Sequence, residues 1–159
     1  AFANSALASD DMYAQLKSIA WTYVTAADLF YGPVVRRSAN SAWAGYKSEA
    51  EWGWGATQFN LKKWVAGTPT SLGSSATPDP AANDVLRVEA DGSSITLKVN
   101  GTAKVGPVTD TAISGNLYSG VAGTGGGSVN NNMTWDDFEA ADLAAGAVAP
   151  SRMMMGVGV

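Results

Sequence analysis

The sequence predicts an all-β domain in which antiparallel strands close into a sandwich or barrel. Short segments of β type recur between turn signals at spacings of about ten to fifteen residues, and no long stretch keeps the 3.6-residue period of a helix. Hydrophobic residues make up 46% of the 159 residues and charged residues only 15%, so a packed core is feasible. A single domain of this size buries roughly two-thirds of its unfolded surface.

The clearest strands form a three-stranded antiparallel meander over residues 84–108. Apolar and polar residues alternate along this stretch, which is the period of strands with one buried face. Asp91-Gly92 and Asn100-Gly101 interrupt the alternation, and both dipeptides tolerate the positive φ angles of tight hairpin turns. The pattern therefore predicts two hairpins in succession.

Further strands are predicted on both sides of the meander. They cover Met12–Ile19, Leu29–Arg37, Ala42–Glu49, Gln58–Val65, a short piece near Leu72, Leu117–Ala122 and Met133–Ala140. Pro33 indicates an edge position or a bulge, because proline cannot donate to a strand ladder. The alanine-rich run 140–149 could form a short turn or an extended arm.

Composition excludes several function classes. The chain has no cysteine and no histidine, which removes disulfides, thiolate metal sites and Ser-His or Cys-His nucleophiles. The net charge is −4 and the cations are scattered, so no nucleic-acid partner is expected. The adjacent pairs Arg36-Arg37 and Lys62-Lys63 are expected on solvated sheet edges. No apolar run approaches the roughly 20 residues that span a bilayer, so no membrane partner is expected.

Four motifs resemble the concanavalin A-like (laminin G-like) jelly-roll family. They are DVLRVEADGSSITLKVNGTA (84–103), VTDTAISG (108–115), LYSGVAG (117–123) and WDDFEA (135–140), with DMYAQL (11–16) and YGPVVRR (31–37) similar to the early strands. The resemblance covers roughly residues 8–143. It implies an antiparallel jelly-roll β-sandwich. Domains that look like this occur in secreted glycosidases, lectins, adhesion proteins and structural proteins of tailed bacteriophages.

The chain departs from this family at both ends. The sequence predicts no counterpart of the family's opening strand, which pairs beside the closing strand, and this would leave an edge for a neighbouring chain. We therefore divide the chain into a sandwich over 1–143 and a carboxy-terminal arm over 144–159. The arm carries an apolar cluster that suits docking onto a partner, since methionine adapts to irregular grooves. Its predicted partner-binding residues are Met153, Met154, Met155, Val157 and Val159. The alternative is a frayed chain end.

Catalysis is not expected. Glycoside hydrolysis needs two carboxyl groups about 5 to 9.5 Å apart, one with a raised pKa. Glu49 and Glu51 share one strand face but lack the third acid of the enzymatic jelly rolls, and Asp91, two residues after Glu89, belongs to a turn. We predict a non-enzymatic protein.

Two weaker ligand sites remain open. Trp52 and Trp54, each beside a glycine, could stack on a carbohydrate, or they could fill the end of the sandwich. No cofactor is expected, although Asp137 and Glu139 could supply oxygen ligands to calcium, as in some members of the family that the chain resembles.

Two hypotheses follow for the function. The first is a structural protein of a virion, a capsid decoration (cement) protein on the capsid surface of a bacteriophage. It would bind the major capsid protein or another virion protein, as a homo-oligomer, with a trimer favoured. Repeated copies on a lattice would strengthen an arm that binds weakly alone. The alternative is a carbohydrate-binding module of a tail fibre or of a secreted, extracellular protein, with a glycan as partner.

Overall fold

The computed structural model describes residues 6–22, 29–38, 44–52, 58–76, 81–125 and 132–143. Within these ranges the chain forms ten β-strands and no helix, and hence no helix that could cross a membrane. The strands are β1 (Met12–Thr22), β2 (Leu29–Arg37), β3 (Gly45–Trp52), β4 (Gln58–Val65), β5 (Thr68–Ser75), β6 (Val85–Asp91), β7 (Ser94–Val99), β8 (Thr102–Thr109), β9 (Tyr118–Gly125) and β10 (Asn132–Asp142).

The strands form two antiparallel sheets that pack face to face. Sheet I has the order β10-β1-β6-β7-β8, and sheet II has the order β5-β4-β3-β2-β9. Neighbours that are distant in sequence, such as β1 with β10 and β2 with β9, make this a sandwich in which the chain crosses repeatedly between the sheets. The predicted antiparallel β-sandwich is confirmed, and the predicted meander is β6-β7-β8.

Two details of the sequence prediction need correction. The segment around Leu72 is the full strand β5, which pairs with β4 along its length. The strand that contains Pro33 is not at an edge, since β2 lies between β3 and β9. Its bulge follows a few residues later, between Val34 and Arg37. The closing strand β10 pairs with β1 from Met12 to Thr22 and lies at the end of sheet I, so its other edge has no neighbouring strand among the described residues.

The core lies between the sheets and follows from alternation along each strand. On β1 the inward residues Met12, Ala14 and Leu16 are fully buried. The other buried apolar residues of the core are Tyr31, Val35, Tyr46, Phe59, Leu61, Leu86, Val88, Ala90, Ile95, Leu97, Val99, Val105, Ile113 and Val121. Because both sheets contribute, neither sheet can bury its apolar face without the other.

A buried arginine ties one end of the sandwich together. The Arg36 side chain is only 3% exposed, and the sequence expectation of a solvated sheet edge is wrong for it. Its Nε donates to the carbonyl of Asp10 at 2.7 Å, and its Nη1 donates to the carbonyl of Ile113 at 3.2 Å. Its Nη2 donates to the carbonyl of Gly92 at 2.7 Å and to Asp11 Oδ1 at 3.3 Å. One guanidinium thus joins the segment before β1, the β6–β7 turn and the loop after β8 to strand β2.

Asp110 makes a second link at the same end. Its carboxylate accepts hydrogen bonds from Lys63 Nζ at 2.5 Å and from the Tyr46 hydroxyl at 2.7 Å, so that the loop after β8 is fixed to sheet II. Burial alone would raise the pKa of Asp110, but the hydrogen bonds from Lys63, Tyr46 and the amide of Ala112 outweigh it and lower that pKa. Burial, and after it the hydrogen bond to Asp110, raise the pKa of Tyr46 to about 12.

We expect Arg36→Met to destabilise the protein by about 3 kcal/mol or more, because one buried and two part-buried carbonyl oxygens lose their donor. Urea unfolding measures the loss. Lys104→Met removes a cation of β8 that has no ion pair with any described residue, and it is the control. A loss for Arg36→Met no larger than that for Lys104→Met would contradict the structural role of Arg36.

We expect Asp110→Asn to lower stability by about 2 kcal/mol at neutral pH, where the charged carboxylate is hydrogen-bonded in the folded state. The folded-state pKa lies below the ordinary value of 3.8, so the wild type keeps this contribution above that value. It loses the contribution as the pH falls through the folded-state pKa. Unfolding midpoints between neutral and strongly acidic pH should therefore converge for the two proteins. Parallel profiles would show that Asp110 is not the titrating group.

Candidate functional site

The outer face of sheet II is closed in its centre. Val34, Lys47 and Asn60 alternate with core residues on β2, β3 and β4, so they point away from the core. Their exposed fractions are nevertheless 0, 1 and 4%. This part of sheet II is therefore not open to a ligand.

The outer face of sheet I is polar and partly exposed. Tyr13, Gln15 and Lys17 alternate with the buried residues of β1, and Arg87 and Glu89 alternate with those of β6. All five side chains are half-buried. The same alternation that builds the core on one side of these strands therefore builds a polar surface on the other.

Strand register arranges these residues in two rows that cross the sheet. The rows are Glu139, Gln15, Arg87 and Lys98 on β10, β1, β6 and β7, and Tyr13, Glu89 and Thr96 on β1, β6 and β7. We call these seven residues the polar face. Its members come from four strands, so the pairing of β1 with both β6 and β10 is what assembles it.

Two cations share one carboxylate at the centre of the polar face. Glu89 pairs with Arg87 Nε and with Lys98 Nζ, each at 2.6 Å. The exposed fractions of the side chains are 25% for Arg87, 30% for Lys98 and 15% for Glu89, so this triad is partly shielded from solvent. The shared carboxylate holds both cations in place and leaves them a net positive charge.

Tyr13 is fixed on both sides. The Arg87 guanidinium lies over its ring, 3.6 Å from the centroid, which is a cation–π contact. The Tyr13 hydroxyl donates to Glu139, which also accepts from Gln15 Nε2 at 2.9 Å, and Arg87 Nη1 donates to Gln15 Oε1 at 3.3 Å. The hydrogen bond to Glu139, then burial, raises the pKa of Tyr13. These contacts hold an aromatic ring, an amide and four charges in one fixed arrangement.

Such an arrangement can bind a ligand that offers both hydroxyl groups and a weakly polar surface. Carboxylate oxygens accept hydrogen bonds from hydroxyls, ammonium and guanidinium groups donate to them, and an aromatic ring packs on C–H bonds. Because the side chains already hold one another, little conformational entropy would be lost on binding. Among the described residues no cluster of three or more acidic side chains could hold a metal ion.

The calcium candidates lie on β10, and the structure changes their expected geometry. A register shift in β10 pairs Gln15 with Glu139 but Lys17 with Asp136, and Asp137 has a φ of 53°. Regular alternation along the strand therefore does not place the side chains of Asp137 and Glu139 on the same face of β10. Both Glu139 oxygens already accept hydrogen bonds within the polar face. Calcium binding at this pair stays a prediction.

The other predicted binding residues lie mostly outside the described residues. Trp52 ends β3, where its backbone pairs with Leu29, but its side chain and all of Trp54 are outside the described part. The same holds for the whole arm 144–159, including Met153, Met154, Met155, Val157 and Val159. Their roles stay predictions.

Two pairs of acidic residues have the spacing of candidate glycosidase acids, and the structure describes the side chains of only the second pair. Glu49 and Glu51 lie on β3 opposite Asn60 and Gln58, with their side chains outside the described part. Glu89 is held by two cations, while Asp91 is exposed at the turn. Glu89 is thus an ion-pair partner with no carboxyl neighbour among its described contacts.

Sequence reasoning missed the polar face as a site. The alternation of Tyr13, Gln15 and Lys17 with apolar residues was visible in the first predicted strand and could have marked an outward polar row. What the sequence did not contain was the pairing of β1 with both β6 and β10, which brings Glu139 beside residues more than 120 positions away.

Comparison with known proteins shows the fold. No family model matches the chain, and no curated protein matches it in sequence. The carbohydrate binding module CBM66 from Bacillus subtilis is similar in structure, with a TM-score of 0.63 and 11% identity over 83% of this chain and 75% of that one. Sheep galectin-11, solved in complex with glycerol, has a TM-score of 0.59 and 7% identity over 88% of this chain and 96% of that one. The chain therefore has the jelly-roll, lectin-type β-sandwich fold, as its hairpin motifs predicted.

Proposed function

We propose that this chain is a non-enzymatic carbohydrate-binding module and that the polar face of sheet I binds the glycan. The observation that carries the proposal is the interlocked set of Tyr13, Arg87, Glu89 and Glu139, whose donors, acceptors and ring are held on one sheet surface. The likeness to a carbohydrate binding module gives independent support. As its localisation we propose the alternative from the sequence analysis, a secreted, extracellular protein.

The character of the described surface favours a glycan over other partners. Among the described residues the exposed large hydrophobic side chains are Ile19 and Val65, which lie on strands of different sheets and form no apolar patch. Protein interfaces usually contain such a patch at their centre. The net charge of −4 also disfavours a phosphate-rich partner.

The charge pattern of the polar face suits a ligand with many hydroxyl groups. Arg87 and Lys98 are balanced by Glu89 within the triad, and Glu139 faces neutral donors from Tyr13 and Gln15. Donors and acceptors therefore alternate across the surface, and neighbouring hydroxyls on a sugar ring offer the same alternation.

We expect the wild type to bind one or more glycans on an array, and Arg87→Ala to weaken that binding roughly ten- to hundredfold. This range corresponds to a charge-assisted hydrogen bond of about 1.5–3 kcal/mol. Glu89 keeps Lys98 as a partner in this variant, so the fold should persist. Tyr13→Ala should weaken binding similarly. Lys104→Ala, outside the polar face, is the control, and isothermal titration calorimetry measures each affinity.

Two results would contradict parts of this proposal. An array without any bound glycan would refute the carbohydrate-binding function. Binding that survives Arg87→Ala and Tyr13→Ala but disappears in Trp52→Ala or Trp54→Ala would keep the function and move the site to that tryptophan pair.

Capsid decoration stays a prediction from the sequence. Its support is the apolar arm at 153–159, which lies outside the described residues, and the outer edge of β10, which has no neighbouring strand among the described residues. No contact of the described residues favours a capsid protein as partner.

A further inference from the structure

A small depression with polar and apolar lining residues lies at the end of the sandwich that Arg36 ties together. It has a volume of about 350 Å³, near the lower limit of ligand pockets, roughly 300 to 1,000 Å³. The β6–β7 turn, the segment before β1 and the loop after β8 meet there. Its lining includes the side chains of Asp10, Arg36, Ser93, Thr111, Ile113 and Ser114.

Several polar groups in this depression have no partner among the described residues. The hydroxyls of Ser93, Thr111 and Ser114 make no hydrogen bond within the described ranges. Asp10 Oδ2 accepts from the amide of Gly115 at 2.8 Å, which leaves Oδ1 available within the same ranges. Three hydroxyls and one carboxylate oxygen therefore line the same small space.

The wall and floor of the depression are rigid. Arg36 is 3% exposed, and four hydrogen bonds to described residues use four of its five N–H groups. The fifth N–H group, on Nη1 of Arg36, has no described partner, and Arg36 lines the depression. Ile113, also 3% exposed, adds an apolar surface. A buried cation, an apolar residue and free hydroxyls together form a built site.

The chemistry of these groups favours a neutral polyhydroxy ligand over an ion. The Asp10 carboxylate would repel an anion, and most of the Arg36 donors are already used. A cation would find a single carboxylate among the lining residues, that of Asp10, whose Oδ2 already accepts from the amide of Gly115. A sugar unit can donate to Asp10, exchange hydrogen bonds with the hydroxyls and place C–H bonds on Ile113.

The β6–β7 turn connects the depression to strands of the polar face. Gly92 and Ser93 form the turn between β6 and β7, and Glu89 of the polar face lies only two residues before Asp91, the end of β6. Two strand residues span roughly 7 Å. A glycan that lies along β6 would therefore reach the turn within one or two sugar units.

From these observations we propose that the depression is a second subsite, which binds one monosaccharide unit of the same neutral glycan that the polar face binds. This inference rests on the proposed carbohydrate-binding function. It specifies the ligand as a linear oligosaccharide long enough to occupy both places, rather than a single sugar.

The test is calorimetric titration with neutral cello-, xylo- and fructo-oligosaccharides of one to six units. We expect the affinity of the wild type to rise with chain length until both subsites are filled. Thr111→Leu, which fills the depression from an exposed position, should lower the affinity for the longer chains about tenfold and leave the shortest binding chains unchanged. Thr70→Leu makes the same substitution at an exposed position on β5 and is the control.

The outcomes distinguish failure of the second subsite from failure of the proposed function. No loss in Thr111→Leu for any length, with binding still lost in Arg87→Ala, overturns the subsite and leaves the polar face intact. An equal loss for all lengths also overturns the subsite, because a second site should matter only to longer chains. If the wild type binds none of these oligosaccharides and no glycan on the array, both proposals fail. Asp10→Asn, which keeps an acceptor for Gly115, should repeat the length-dependent loss if the Thr111 effect comes from the depression.

Discussion

Alternation of side chains along β1 and β6 is the constraint on which the rest of this molecule depends. In a strand, successive residues point to opposite sides, so a sequence that alternates apolar and polar residues defines two surfaces at once. Met12, Ala14 and Leu16 are fully buried, while the residues between them are half-buried on the other side of sheet I. A slip of one residue in register would destroy the core and the polar face together.

The polar residues of sheet I stabilise one another rather than standing separately in solvent. Exposed ion pairs contribute little, but a carboxylate shared by two cations, as Glu89 is, belongs to a network whose members limit each other's motion. The Tyr13 ring, held between the Arg87 guanidinium and the Glu139 carboxylate, extends this network to the edge strand β10. A surface of this kind gives specificity through geometry, because its donors and acceptors keep fixed positions.

Side-chain hydrogen bonds stabilise the loops at the end of the sandwich near Arg36. Backbone carbonyls in these loops are buried or part-buried, and the guanidinium supplies their donors from within the protein. Asp110 fixes the loop after β8 to sheet II through Lys63 and Tyr46. The same contacts that stabilise these loops give the depression beside them rigid walls, so stability and the proposed second subsite have a common origin.

The sequence by itself determined the strands, the hairpins and the division into apolar and polar faces. These are local properties, and they follow from the two-residue period and from turns such as Asn100-Gly101. The pairing of β1 with β10, the burial of Arg36 and the convergence of Tyr13 with Glu139 were decided only by the tertiary structure. The physical reason is that contacts between distant strands depend on sheet order and on bulges such as the one near Asp137, and no local pattern encodes either.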